Sequence, residues 1–229
     1  MWLNVQPARR VRARLFGARS CIVNSVSKYG TQFLLSAMAA EQFPAPSVVE
    51  IAFLGRSNLG KSSLLNALAG EKAAKVSSTP GRTRAINFFA LLDGSQKKLV
   101  FADLPGYGYA KVSRSISAEW PKFIEPYLQE RETLGLCVCL VDSNVPPQDR
   151  DGVLFAWLKS LGRDFVVVAT KIDRLSGNER TRNLAALKKG LEIEGILPVS
   201  AKTGTGIKEL WAKIEAAGVS RIQANRLAH

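Results

Sequence analysis

The chain has 229 residues, of which 32 are lysine or arginine and 19 are aspartate or glutamate, so its formal net charge is +13. At about 150 residues per domain, this length predicts one or two domains that need neither disulfides nor structural metals to fold. Apolar residues make up 46% of the chain and charged residues 22%, which excludes a fully disordered chain, and no apolar run is long enough for a membrane span. The only histidine is His229, which excludes histidine-based zinc sites and Ser-His or Cys-His catalysis.

The positive charge predicts a polyanionic partner or an anionic surface, and it is unevenly placed. Residues 1–40 contain no acid and six basic residues, namely Arg9, Arg10, Arg12, Arg14, Arg19 and Lys28. Such a start is typical of an organelle transit peptide, of a basic arm that holds RNA, or of an extension outside the working protein. We favour a disordered, dispensable arm over residues 1–31, with organelle targeting as the alternative. A short basic tail is predicted over residues 218–229.

Between these two arms, over residues 32–217, predicted strands alternate with predicted helices. The strands cover residues 48–55, 86–92, 99–104, 136–142, 165–170 and 196–199, and the helices cover residues 61–69, 118–132, 148–161, 178–189 and 207–216. This alternation predicts a mostly parallel sheet covered by helices on both faces. The two consecutive strands within 86–104 predict one antiparallel strand at an edge. We therefore expect a three-layer α/β fold with a six-stranded sheet.

A phosphate-binding loop follows the first predicted strand. The segment Gly55-Arg56-Ser57-Asn58-Leu59-Gly60-Lys61-Ser62 matches G-x-x-x-x-G-K-[ST] and precedes a predicted helix, as the motif requires. The glycines let backbone amides surround phosphate oxygens, and the helix N-terminus adds partial positive charge. Lys61 is expected to reach the β- and γ-phosphates, and the hydroxyl of Ser62 is expected to ligate Mg²⁺.

A second motif on the phosphate side lies at the end of the strand predicted over 99–104. In Asp103-Leu104-Pro105-Gly106, a carboxylate at a strand end suits a role in holding Mg²⁺ through water. The amide of Gly106 can then meet the γ-phosphate. A carboxylate after a strand is more often a turn or cap residue, so this motif gains weight only from its place after the phosphate loop.

Two further motifs predict a site for guanine. In Thr170-Lys171-Ile172-Asp173, the carboxylate can accept both N1–H and the 2-amino group of guanine, a donor pair that adenine lacks, and the stem of Lys171 would cover the purine ring. The segment Val199-Ser200-Ala201 would offer backbone N–H groups to the 6-oxo group. All the motifs follow strands, and the carboxyl ends of strands in open α/β sheets are where ligands bind. The segment at residues 170–173 predicts GTP rather than ATP, and the order of the four motifs strengthens the prediction of a nucleotide site.

A switch threonine is expected between residues 70 and 86, where it would complete the Mg²⁺ shell only in the GTP state. Thr79 and Thr83 both lie there, and spacing leaves both as candidates.

The segments GRSNLGKSSLLNAL, TPGRTRAINFF, DLPGYGYAKV and TKID closely resemble the EngB family of ribosome-biogenesis GTP-binding proteins, from about residue 32 to about residue 216. The resemblance implies a single Ras-like P-loop G domain that binds GTP, GDP and Mg²⁺. It implies that Thr83 is the switch threonine, within the nucleotide-binding segment Gly81-Arg82-Thr83-Arg84-Ala85. It also implies a role in large ribosomal subunit assembly and in normal cell division and septation, in a bacterial-type cytoplasm. A monomer is the expected state.

Hydrolysis is expected to be slow, because Tyr107 stands where Ras-type enzymes have the glutamine that orients water. The groups expected to act in hydrolysis are Lys61, Thr83, Gly106 and Asn58. Asn58 enters as a hypothesis in which it helps to bind K⁺ beside the phosphates, and the alternative is that it only pins the loop backbone. Ribosomal RNA is expected to contact an aromatic and basic set, namely Tyr107, Tyr109, Lys111, Arg114 and Lys122.

Other classes of protein share part of this pattern. A P-loop ATPase or small-molecule kinase would have no use for a guanine-reading segment at residues 170–173. An RNA-binding module with a decayed nucleotide site would not be expected to keep Lys61, Ser62, Thr83 and Asp103. An organelle-targeted version of the same GTPase and an RNA-binding module with little hydrolysis remain as alternatives.

Overall fold

The fold is built on one central sheet, described in a computed structural model that covers residues 29–70, 85–107 and 122–227, with side chains as far as residue 218. The strands are β1 (Gly30–Ala37), β2 (Glu50–Gly55), β3 (Ile86–Asp93), β4 (Gln96–Asp103), β5 (Leu134–Asp142), β6 (Phe165–Thr170) and β7 (Leu197–Pro198). The helices are α1 (Lys61–Ala69), α2 (Ile124–Glu130), α3 (Asp149–Ser160), α4 (Gly177–Gly190) and α5 (Ile207–Leu227). Within this part of the chain, no helix has both the length and the apolar composition that crossing a membrane requires.

The sheet confirms the Ras-like, mostly parallel class but corrects its details. Seven strands lie in the order β1-β3-β4-β2-β5-β6-β7, whereas six were predicted. The antiparallel strand is β3, which pairs with β4 on one side and with β1 on the other, so it is second from the edge rather than at it. Strand β1 was missed because its register shifts between Phe33 and Leu35, which breaks the alternation that identifies a strand.

The predicted helices agree with the structure closely at α1 and less closely elsewhere. Helix α2 begins at Ile124, so that Pro126 lies in its first turn, where a missing N–H is tolerated. Of the helix predicted over 118–132, residues 118–121 lie outside the described residues. Helix α5 continues to Leu227, beyond the predicted end at residue 216. The domain boundaries at 31/32 and 217/218 remain predictions, although β1 begins at Gly30.

Two apolar clusters, one on each face of the sheet, form the core. Helices α1 and α5 cover one face, and helices α2, α3 and α4 cover the other. Strand β5 serves both clusters, since Cys137 and Cys139 face one and Val138 and Leu140 face the other. This arrangement explains why β5 is almost continuously apolar in sequence. The two cysteines are completely buried core residues, and the described residues contain no metal-binding cluster of His, Cys, Asp or Glu.

One buried carboxylate connects α2 to the start of β2. Glu50 is 2% exposed and accepts hydrogen bonds from Tyr127 Oη at 2.9 Å, Thr133 Oγ1 at 2.8 Å and Arg131 Nε at 2.9 Å. Arg131 also donates to the carbonyl of Pro44 at 2.6 Å. A buried charge with this many partners is tolerated, and here it fixes α2 beside the strand that leads into the phosphate loop.

Candidate functional site

The predicted motifs converge at one edge of the sheet. Strands β2, β4, β5, β6 and β7 are mutually parallel, so their carboxyl ends face the same way. The phosphate loop follows β2, Asp103 ends β4 and Thr170 ends β6, and Val199 follows β7 directly. The structure thereby brings the phosphate-side and base-side motifs together. Of the switch segment, Ala85 is half-buried, whereas Gly81, Arg82, Thr83 and Arg84 lie outside the described residues.

The phosphate loop owes its shape to two residues with positive φ. Asn58 has φ of +67° and Gly60 has φ of +86°, a region that asparagine and glycine enter more readily than other residues. The carbonyl of Gly60 accepts the first hydrogen bond of α1, from Leu64 N at 2.8 Å. Leu59 is 6% exposed and belongs to the core.

The phosphate-side charges lie beside each other. Lys61 Nζ donates to Asp103 Oδ1, and both side chains are largely buried. Gly106 lies against the loop so closely that a Cβ there would approach Ser57 Oγ to 2.7 Å and Ser57 N to 3.0 Å. Only glycine permits this approach. The end of the Asp103–Gly106 segment therefore lies directly against the phosphate loop. Leu104 and Pro105 are buried beside it.

A cavity of about 330 Å³ lies between the phosphate loop and the base-side motifs. Leu59 and Gly60 line it on one side, and Lys171, Asp173 and Ala201 line it on the other. Arg174 and Lys202 also line the cavity and were not predicted; the only sequence signal for them is that each directly follows a motif. Ile172, in contrast, is 1% exposed, so its side chain belongs to the core rather than to the cavity.

Ser200 orients the carboxylate of Asp173. Its buried hydroxyl donates to Asp173 Oδ1 at 2.7 Å and accepts from Thr203 N at 3.1 Å. The amides of Val199 and Ser200 donate to the carbonyls of Ala169 and Thr205 at 2.8 and 2.9 Å. These two amides are therefore engaged within the fold, which corrects their predicted role as donors to a base and leaves Ala201 as the candidate donor of the three.

Tyr107 contradicts its predicted place on an RNA-binding surface. Its side chain is 2% exposed, and its hydroxyl donates to Asp151 Oδ1, in the first turn of α3, at 2.9 Å. Its backbone forms a parallel bridge with Arg56 in the phosphate loop. Of the other residues in that predicted surface, Lys122 is exposed, while Tyr109, Lys111 and Arg114 lie outside the described residues.

Asp151 makes the stability of the fold depend on pH. Burial raises the pKa of its carboxyl to about 6, against the lowering effects of the hydrogen bond from Tyr107 and the charge of Arg56. Because the folded-state pKa exceeds the unfolded value of about 3.9, folding favours the protonated form. The stability that this group contributes is therefore complete below about pH 4 and is lost as the pH rises through about 6.

We predict that Asp151→Asn, which keeps an acceptor for Tyr107, removes the loss of folding stability that accompanies ionisation of Asp151. Between pH 4 and pH 7 the free energy of unfolding should fall further for the wild type than for the variant, by at most about 3 kcal/mol. Urea denaturation at both pH values measures the difference. Asp164→Asn, at an exposed position, is the matched control and should behave as the wild type. A parallel pH dependence of wild type and Asp151→Asn would contradict the prediction.

Solved structures with the same fold include GTP-binding proteins. A crystal structure of a probable GTP-binding protein EngB matches 75% of this chain and 100% of its own, with a TM-score of 0.57 and 22% identity, which supports the fold alone. A single-residue variant of the Era protein of Aquifex aeolicus, bound to GDP·AlF4⁻, matches 73% of this chain and 56% of its own, with a TM-score of 0.58 and 27% identity.

Sequence comparison identifies the family. A family model described as "50S ribosome-binding GTPase" matches residues 50–171. A probable GTP-binding protein EngB from Acidobacterium capsulatum is 61% identical over 196 residues, which cover 84% of this chain and 93% of that protein. The corresponding protein from Koribacter versatilis is 60% identical over 191 residues, covering 82% and 94%. With its motifs gathered at one edge of a Ras-like sheet, the chain belongs to the EngB family of GTP-binding proteins.

Proposed function

We propose that this member of a GTPase family is a slow GTPase that acts as a nucleotide switch in assembly of the large ribosomal subunit, with a link to cell division and septation. The observation that carries the nucleotide part is the cavity between the phosphate loop and Asp173. Its walls offer a phosphate-binding loop at one end and a carboxylate held by Ser200 at the other. The proposed site of action is the bacterial cytoplasm, and the proposed state is a monomer.

The oxygen donors near the phosphate loop suit Mg²⁺. The hydroxyl of Ser62 lies in the first turn of α1 and the carboxylate of Asp103 ends β4, and Mg²⁺ prefers one or two such ligands together with phosphate oxygens and water. We propose that Ser62 and Thr83 ligate the ion directly and that Asp103 does so through water. Bound Mg²⁺ would neutralise charge on the β- and γ-phosphates, while Lys61 and the amide of Gly106 contact phosphate oxygens.

The buried position of Tyr107 supports slow hydrolysis. Its hydroxyl is engaged with Asp151 and its ring lies in the core, so this side chain does not orient an attacking water. The residues proposed to stabilise the transition state are Lys61, Thr83, Gly106 and Asn58.

The charge distribution supports a partner contacted through basic segments that lie outside the described side chains. The described side chains comprise 18 lysine and arginine residues and 17 aspartate and glutamate residues, for a net charge of +1. The remaining +12 belongs to residues 1–28, 71–84, 108–121 and 219–229. An Era structure 28% identical to this chain, with a TM-score of 0.57, contains MgGDPNP and nucleotides 1506–1542 of 16S ribosomal RNA. By analogy, we propose that the basic segments contact ribosomal RNA.

We predict that Asp173→Asn lowers affinity for GDP at least about 100-fold, because the amide is uncharged and keeps only one of the two acceptor oxygens that read guanine. Affinity for xanthosine diphosphate should rise relative to GDP, since an amide can donate to the 2-oxo group. Fluorescent GDP with GTP, ATP and xanthosine diphosphate as competitors measures both effects, and Asp164→Asn is the control. If the wild type binds ATP as well as GTP, the proposed guanine site is wrong.

The K⁺ hypothesis predicts that GTP hydrolysis by the wild type is at least about tenfold faster in K⁺ than in Na⁺ buffer, because a fixed cation supplies charge that an arginine finger gives elsewhere. Asn58→Gly tolerates the positive φ of 67° and should lose the difference. Equal wild-type rates in the two buffers would mean that Asn58 only shapes the loop backbone.

For the ribosomal role, we expect the GTP-bound form to co-sediment with large-subunit precursor particles more strongly than the GDP-bound form. Because phosphate contacts release counterions, binding should weaken steeply as salt increases from about 50 to 200 mM. Binding that depends on neither the nucleotide nor salt would count against the proposal. Binding without measurable hydrolysis would favour the RNA-binding module, and failure of a chain lacking residues 1–28 to reach an organelle would favour the organelle-targeted alternative.

A further inference from the structure

Lys171 is held by the end of β5, by the loop that follows it and by the phosphate loop. Its Nζ donates to Asp142 Oδ2 at 2.7 Å and to the carbonyl of Asn58 at 2.7 Å. Its own carbonyl accepts from Asn144 Nδ2 at 3.4 Å, and Ser143 N donates to the preceding carbonyl, of Thr170, at 3.2 Å. Lys171 also has a positive φ of 61°, which is unusual for lysine. Both its backbone and its ammonium group are thus fixed by neighbours.

Asp142 is itself firmly oriented. Its Oδ1 accepts from Asn144 N at 3.0 Å and from Asn144 Nδ2 at 2.9 Å, while Oδ2 accepts from Lys171. Burial raises the pKa of this carboxyl, but the hydrogen bonds from Lys171 and Asn144 outweigh burial and hold the pKa below its ordinary value. Asp142 therefore stays charged at neutral pH, and both of its oxygens are occupied.

The far end of the Lys171 side chain is consequently tied between the phosphate loop and β5. A lysine stem can cover a flat ring only if its flexible methylenes are held in one direction, and an ordered ammonium group does this. Lys171 lines the 330 Å³ cavity beside Asp173. Exposed ion pairs usually contribute little, but here the side chains of Lys171 and Asp142 are only 22% and 13% exposed.

We propose that Asp142 is a positioning residue for nucleotide binding, which holds the Lys171 side chain across the face of the guanine ring and against the carbonyl of Asn58. The inference rests on the proposed guanine site. Asp142 does not touch the base in this arrangement. Its effect passes through Lys171 and is therefore the same for any purine nucleotide that Asp173 admits.

Asp142→Asn should lower affinity for GDP on the order of tenfold, because the stem of Lys171 is no longer held over the face of the ring. Inosine diphosphate lacks the 2-amino group that Asp173 reads, so affinity for it should fall by the same factor, leaving the GDP-to-IDP ratio unchanged. Lys171→Met, which keeps the stem, should cause a similar fall. The double variant should be no weaker than Lys171→Met alone, since the two changes remove one interaction. Fluorescence titration of the full chain with GDP and with inosine diphosphate measures the affinities of the wild type and of the three variants.

Asp164→Asn is the matched control. It makes the same acid-to-amide change just before β6, at the end of the sheet away from the cavity, and should leave the affinities for GDP and IDP unchanged. Asn144→Ala, at an exposed loop position, removes one hydrogen bond to Asp142 and should lower both affinities a few-fold even if Asp142→Asn does not fold. Unchanged GDP affinity in Asp142→Asn, additive losses in the double variant, or a changed GDP-to-IDP ratio would overturn the proposal. If the wild type itself does not prefer GDP to ADP, the proposed guanine site fails instead.

Discussion

The buried hydroxyl of Thr170 joins the two halves of the candidate site. It lies 2.8 Å from the carbonyl of Leu59 in the phosphate loop and 3.1 Å from the carbonyl of Val141 in β5. A hydroxyl has one proton to donate, so it serves these two carbonyls alternately or shares between them. Through this contact the end of β6 holds the phosphate loop at a constant distance from the base-side residues that follow Thr170. A loop that had to satisfy Leu59 with water would not keep this spacing.

Two helices on the face of the sheet opposite to α1, namely α2 and α3, stabilise the same edge of the sheet. Tyr107 connects the segment after β4 to the first turn of α3 through Asp151. Glu50, the first residue of β2, accepts hydrogen bonds from Tyr127 in α2 and from Arg131, which follows that helix. In both cases a buried carboxylate and a tyrosine hydroxyl link a strand or strand end to a helix. The phosphate-side motifs therefore rest on polar contacts that are sensitive to geometry, in addition to apolar packing.

The net positive charge is distributed unevenly along the chain, and this distribution does not follow the helices and strands. The side chains that the structure describes carry a net charge of only +1, so a long-range attraction to a polyanion is expected to come mainly from the other residues. The excess of positive charge lies in residues 1–28 and 219–229 and in two segments, 71–84 after α1 and 108–121 after the Asp103–Gly106 motif. Those two segments flank the nucleotide site in sequence, which is why nucleotide state and RNA contact are proposed to be linked.

The sequence alone was sufficient for the fold class and for the motifs of the site. The phosphate loop, Asp103 and Asp173 could be predicted because each follows a strongly apolar strand, and parallel strands must bring their carboxyl ends to one edge. Helix α1 was predicted to the residue because glycines at positions 60 and 70 bound it. Strand β1 could not be predicted, because a bulged edge strand has no clear alternation and gains its stability from pairing with β3.

Only the tertiary structure decided the roles of side chains whose partners are far away in sequence. Tyr107 looked like a surface residue because its motif is aromatic and basic, yet its partner Asp151 lies 44 residues later. Asp142 had no motif to mark it, and its effect on Lys171 follows from the pairing of β5 with β6. Local sequence determines which elements form and which backbone motifs end them. The contacts that orient a particular ammonium, hydroxyl or carboxylate depend on how those elements pack. The spacing of residues along the chain gives no information on that packing.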